Sequence, residues 1–109
     1  MKLGLIDLGI GNLGSIESAM TKLNVQYNIC KSSNDLKGID KIILPGVGSY
    51  KAFMETLKNK DLQKALTNLS YEDHPILGIC LGFQILFTTS SELGITNGLD
   101  LVKGNIINF

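Results

Sequence analysis

Apolar residues along this chain come in short bursts divided by glycine-rich or polar stretches. Lys2 to Asp7, Val25 to Cys30, Lys41 to Leu44 and Ile76 to Ile79 are bursts of strand length. Between them the period lengthens. Ile16, Met20 and Leu23 recur at helical spacing after Asn12 or Ser15, either of which could cap a first turn, and Asn24 is a suitable stop. Ala52 to Leu57 and Leu62 to Leu69 also read as helical, with Lys58, Lys60 and Lys64 as a solvated face. The polar run Lys31 to Asp35 reads as a loop. A further helix is expected over Leu81 to Phe87, ending in Thr88-Thr89-Ser90-Ser91, and Leu101 to Phe109 reads as the start of another strand. Strands alternating with helices predict a doubly wound α/β structure, a parallel sheet with flanking helices.

Three of the expected strands run directly into turns built for close approach. The first is Leu8-Gly9-Ile10-Gly11-Asn12-Leu13-Gly14-Ser15, and the second is Pro45-Gly46-Val47-Gly48-Ser49. The third is Ile76-Leu77-Gly78-Ile79-Cys80-Leu81-Gly82-Phe83-Gln84, in which an apolar strand meets a Gly-x-Cys-x-Gly turn and then an apolar helix. That pattern is a nucleophile elbow, with Cys80 at a strained apex and Gly78 and Gly82 where a side chain would collide as strand and helix cross. A sulfur at a helix N-terminus is stabilised as the thiolate by free amide groups and the macrodipole. All three turns fall at strand carboxyl ends, the edge where open parallel sheets bind ligands.

Composition narrows the possibilities. A chain of 109 residues with 44% hydrophobic content supports one domain with a modest core. Ten basic and ten acidic residues cancel, with no run of either sign, so neither nucleic acid nor a membrane surface is indicated as a partner. No apolar segment approaches transmembrane length, and Leu3 to Ile6 is too short for a signal sequence, so a cytoplasmic location is expected. Cys30 and Cys80 are the only cysteines, and in a reducing compartment both stay free. Nothing in the sequence calls for a cofactor or a metal.

Gly9-x-Gly11-x-x-Gly14 after the first strand also fits the dinucleotide-binding fingerprint. That fingerprint wants an acidic residue at the end of the second strand. Here the strand ends Ile29-Cys30-Lys31-Ser32, with Asp35 only later in the loop. A third reading is a flavodoxin-like domain without chemistry, offering only an interaction surface.

Taken together, the segments Leu8 to Ser15, Leu44 to Ser49 and Leu77 to Gln84 resemble, in order and spacing, three motifs of the class I (triad) glutamine amidotransferases. Leu8 stands where tyrosine is usual and Phe83 where methionine is usual. The resemblance implies an amidotransferase fold of flavodoxin-like layering, and hydrolysis of glutamine to glutamate and ammonia for a partner. Cys80 would be the nucleophile. The oxyanion hole would be formed by the amide of Leu81 and by that of Val47 or Gly48, the latter after a backbone rearrangement. Gly46, Gly48, Leu81 and Gln84 would contact glutamine, and Phe83 is expected in the core. Within the family, the motifs come nearest to glutaminase subunits that feed an ammonia-accepting cyclase or synthase in histidine biosynthesis. Relatives that supply ammonia for surface-polysaccharide sugar amidation are the alternative.

The family's general base is a histidine oriented by a glutamate. No histidine follows Cys80, and the single histidine, His74, lies at the far end of the same strand. Six residues at ~3.3 Å each place it about 20 Å from the sulfur. The expectation is therefore that residues 1–109 are the N-terminal part of one amidotransferase domain, incomplete at the C-terminus and without turnover on its own.

Overall fold

The computed structural model describes residues 1–10 and 13–107. The expected strands form one four-stranded parallel sheet in the order β2-β1-β3-β4. These are β1 (Leu3–Ile6), β2 (Asn28–Cys30), β3 (Lys41–Gly46) and β4 (Ile76–Cys80). Helix α1 (Gly14–Lys22) connects β1 to β2, while α2 (Tyr50–Asn59) and α3 (Leu62–Tyr71) connect β3 to β4. The chain steps from β1 to one side to make β2, then crosses back over β1 to make β3. Because parallel crossovers are right-handed, that reversal sends α1 to one face of the sheet and α2 with α3 to the other.

Side-chain alternation along the strands fills both layers. Ile6, Ile42 and Leu44 are buried in one cluster with Tyr50, Phe53 and Leu57 of α2 and Leu62 and Leu66 of α3. Leu5, one residue before Ile6 and so on the opposite face, is buried outside that cluster, as is Met20 of α1. The doubly wound parallel sheet is thus as expected from the sequence. The ends of several elements differ. The segment β2 begins only at Asn28, Ser33–Leu36 forms a short 3-10 turn inside the expected loop, and β3 runs through Pro45 to Gly46. At the start of α1 the capping position is Leu13, with no side-chain cap; Asn12 and Gly11 lie outside the described residues. Asn24 has φ 59°, the left-handed conformation that ends a helix.

The largest correction lies beyond the elbow. The helix there, α4 (Leu81–Gln84), is a single turn, and Phe87–Ser90 is strand β5 rather than helix end. It joins β6 (Thr96–Asn97, antiparallel) and β7 (Val102–Ile106, parallel) in a second, three-stranded sheet. The backbone explains why the helix stops. The carbonyls of Ile85, Leu86 and Phe87 accept hydrogen bonds from the N–H groups of Leu99, Leu101 and Asp100, at 2.7, 2.8 and 3.1 Å, so they are taken by an incoming segment instead of by a next helical turn. The run Phe87-Thr88-Thr89 is also aromatic and β-branched, which favours strand. Among the described residues no helix is long and apolar enough to cross a membrane.

Candidate active site

Strand β4 delivers Cys80 to the carboxyl edge of the sheet and stops there. Cys80 has φ 56° and ψ −121°, a strained conformation for a residue with a side chain, and its thiol is exposed. Among the described residues five others with side chains have positive φ, and four of them are Asn or Asp, which tolerate it. The glycines expected to permit the elbow do so. A Cβ at Gly82 would collide with the Leu44 carbonyl oxygen of β3, and one at Gly78 would lie 2.6 Å from Phe83 Cα and 2.7 Å from the Gly82 oxygen.

The register of β3 against β4 then brings the second glycine turn to the sulfur. Gly46 and Cys80 are paired across the sheet. A Cβ at Gly46 would stand 2.8 Å from the Gly82 nitrogen, so this turn passes hard against the start of α4. Gly48 has φ +97°, with open space where its Cβ would be, and Val47 is half-exposed. Leu81 is buried and starts α4, and Gln84 is the last residue of that turn, partly buried. Cys80, Gly46, Val47, Gly48, Leu81 and Gln84 therefore lie together at one edge, on the ends of β3 and β4, the turn after β3, and α4. Phe83 departs from expectation: it is 51% exposed rather than in the core. Its ring meets Phe87 edge-on, with centroids 5.3 Å apart at 80°.

Leu8, Ile10 and Leu13 of the first glycine loop share a cavity with Cys80. This cavity of about 130 Å³ is lined by Ile6, Leu8, Ile16, Pro45, Val47 and Cys80 among others. It lies between the carboxyl ends of β1 and β3, where the sheet's winding reverses. No charged side chain among the described residues lines it. Gly9 has φ +76°, and its N–H donates to Asp7 Oδ1 at 2.9 Å; Gly11 is outside the described residues. The acidic residue needed to hold a ribose is committed elsewhere, since Asp35 Oδ2 accepts from the Lys31 N–H at 2.8 Å. This geometry gives the dinucleotide reading no support. No cluster of three or more His, Cys, Asp or Glu able to hold a metal occurs among the described residues.

His74 sits at the opposite edge of the sheet. Its Nδ1–H donates to the Asp40 carbonyl at 3.0 Å, and Nε2 is 3.9 Å from the Glu72 carboxylate. Both partners lie where β3 and β4 begin, the whole length of the strand from Cys80. The second cysteine is also separated from the first. Cys30 is fully buried, and burial, together with the nearby Asp35 charge, pushes its thiol pKa up.

One residue near the turn was not singled out from the sequence. Glu92 lies in the connection between β5 and β6, and its Oε1 accepts from the Tyr50 N–H at 3.3 Å, at the start of α2. Its place depends on the second sheet, which the apolar pattern of the sequence does not predict.

Comparison with known proteins agrees with this architecture. The chain is 43% identical over 105 residues to the imidazole glycerol phosphate synthase subunit HisH of Geobacillus sp. (strain WCH70), covering 96% of this chain and 50% of that one. It is 44% identical over 106 residues to a HisH subunit of Prochlorococcus marinus, covering 97% and 49%. The chain thus spans about half the length of the curated relatives it matches. Among solved structures, a glutamine amidotransferase superposes with a TM-score of 0.83 at 16% identity, over 98% of this chain and 56% of that one. A putative peptidase E protein from Listeria monocytogenes EGD-e superposes at 0.71 with 17% identity, over 93% and 62%. These two likenesses establish the fold. The family model for class-I glutamine amidotransferase matches residues 4–104, and with the elbow, the turn and the sheet order it places this chain in the class-I glutamine amidotransferase family.

Proposed function

We propose that these 109 residues are the nucleophile-bearing, N-terminal part of a glutaminase domain that releases ammonia from glutamine for a partner synthase. Imidazole glycerol phosphate synthase is the assembly favoured, because its HisH subunits are the relatives at 43–44% identity. The partner would be the cyclase subunit that consumes the ammonia, and the location cytoplasmic. The observation that carries the chemistry is the pairing of a strained, exposed Cys80 with Gly46 of the oxyanion turn.

In this reading the Cys80 thiolate attacks the side-chain amide carbon of glutamine. The carbon–sulfur bond forms as the carbonyl electron pair moves to oxygen, and the oxyanion is met by the N–H of Leu81 and that of Val47 or Gly48. Its collapse breaks the carbon–nitrogen bond and leaves a γ-glutamyl thioester, which water hydrolyses to glutamate. Gln84, one helical turn beyond Cys80, and Gly46 would hold the substrate. Glutamine's ammonium and carboxylate need polar partners, so the uncharged cavity beside Leu8 is not the place for them. Departure of ammonia requires a proton, and His74 is too distant to give one.

A diazoketone analogue of glutamine, followed by mass spectrometry, tests the assignment. Cys80 should be labelled and Cys30 not, and excess glutamine should protect. Labelling of both thiols at equal rates, or no protection, would overturn it.

A further inference from the structure

The turn proposed to supply an oxyanion donor is lightly packed once past Gly46. Nothing lies within 4 Å of where a Cβ on Gly48 would be, and Val47, which lines the cavity beside Leu8, is half-exposed. Its position therefore depends heavily on its two ends. One end is Gly46, fixed in β3 opposite Cys80. The other is Ser49, whose Oγ accepts from the Ala52 N–H at 3.2 Å as it caps α2, and whose carbonyl accepts from Phe53 N–H at 3.0 Å.

Those bonds tie the turn to α2, and α2 must itself be held against the sheet edge. Tyr50, its first residue, is fully buried, with its hydroxyl so close to Gly98 that a Cβ there would collide with it. The Tyr50 N–H, which no helical carbonyl can satisfy, donates to Glu92 Oε1 at 3.3 Å. Glu92 is itself anchored, since its N–H donates to Oγ of the buried Ser90 at 3.1 Å. A single charge-assisted bond thus joins the β5–β6 connection to the residue that opens α2 just past the turn, across 42 positions of sequence.

We infer that Glu92 is a positioning residue for the oxyanion turn: by holding the Tyr50 N–H it fixes where Val47-Gly48-Ser49 ends, and so where their amides can meet charge developing at Cys80. This rests on reading Cys80 as the nucleophile and the turn as a donor. Glu92 acts through the backbone, and the effect belongs to the transition state.

Two reactions of Cys80 separate positioning from general structure. With p-nitrophenyl acetate the thiolate adds to the carbonyl, oxygen takes the negative charge, and collapse expels nitrophenolate while leaving an acetyl thioester. With iodoacetamide the sulfur displaces iodide directly, and no oxyanion forms. Neither reagent carries an ammonium group for Glu92 to bind, so an effect on the ester cannot come from gripping a substrate. Rates would be measured on the full 109-residue chain, with Cys80→Ser subtracted as background. Glu92→Met keeps the side chain's length but has no acceptor oxygen, whereas Glu92→Gln keeps one. Glu92→Met should slow acetylation by on the order of ten- to a hundred-fold while alkylation stays within about two-fold, and Glu92→Gln should restore most of the loss. Unchanged acetylation in Glu92→Met, or both reactions falling together, would overturn the inference alone. If unsubstituted Cys80 were acetylated no faster, relative to its alkylation, than a thiol in a denatured chain, the oxyanion reading would fall and the role of Glu92 with it.

Discussion

The two cysteines show how position on one sheet makes one residue type do opposite things. Cys80 ends a strand at the ligand edge, in a conformation that only a tight elbow imposes, and its sulfur meets solvent. Cys30 also ends a strand, yet it is sealed beneath the 3-10 turn, near Asp35, and its pKa is raised first by burial and then by that charge. A thiol whose native pKa lies above its unfolded value of 9.0 holds its proton more tightly when folded. Its contribution to stability is complete below that pH and is lost as pH rises through the native value. Chemical denaturation at about pH 8 and about pH 10 should therefore show a larger loss of stability in the unsubstituted chain than in Cys30→Ala. Tyr50, raised by its own burial, adds a loss of the same sign at higher pH, common to both chains. Equal losses in the two would mean that Cys30 ionises freely in the fold.

At the scale of elements, the crossing of β4 and α4 over β3 is the feature with least tolerance. Gly82 packs directly on the Leu44 carbonyl, and backbone cannot move aside as a flexible side chain can. Gly82→Val should cost about 3 kcal/mol or more and should slow Cys80 alkylation with it, both read in one series of urea titrations and thiol assays. Gly78→Val should behave similarly, against Phe83 Cα and the Gly82 oxygen. A stable, reactive Gly82→Val chain would place Cys80 in an ordinary helix. The elbow was legible in the sequence because its requirement is local: two small residues at fixed offsets from the apex cysteine, between an apolar strand and a helix. The length of α4 was not legible. Ile85, Leu86 and Phe87 continue an apolar pattern that a helix could use, and only the donors arriving from Leu99, Asp100 and Leu101 turn them away from it.

For the whole molecule, what bears on the proposed chemistry is how far the histidine lies from Cys80. Cys80, the Gly46–Gly48 turn and Gln84 gather at one edge of the sheet, while the only histidine is bonded to Asp40 at the other. Among the described residues β4 pairs only with β3, leaving its second edge unpaired beside Cys80, and Leu77 on that strand is 58% exposed. Without a positioned base, the glutaminase rate of this chain should lie about a hundred- to ten-thousand-fold below that of a relative's full-length subunit in its complex. Coupled glutamate detection on the purified chain checks this, with Cys80→Ser as the blank. Turnover at the relative's rate that His74→Ala abolished would show that His74 reaches the sulfur after all.

What the sequence determined by itself is what depends on neighbours along the chain. Short apolar runs between glycine turns dictate strands and their parallel pairing, and the spacing around Cys80 dictates the elbow. The three motifs in order were enough to point to the family. Tertiary structure alone decided the rest. Phe83 is half-exposed on a one-turn α4, the second sheet exists because residues 99–102 capture carbonyls that a helix would have used, and Glu92 reaches Tyr50 across a separation no local pattern encodes. In the last two cases a backbone group without a local partner found one far away in sequence, and the cost of leaving such a group unpaired outweighed local preference.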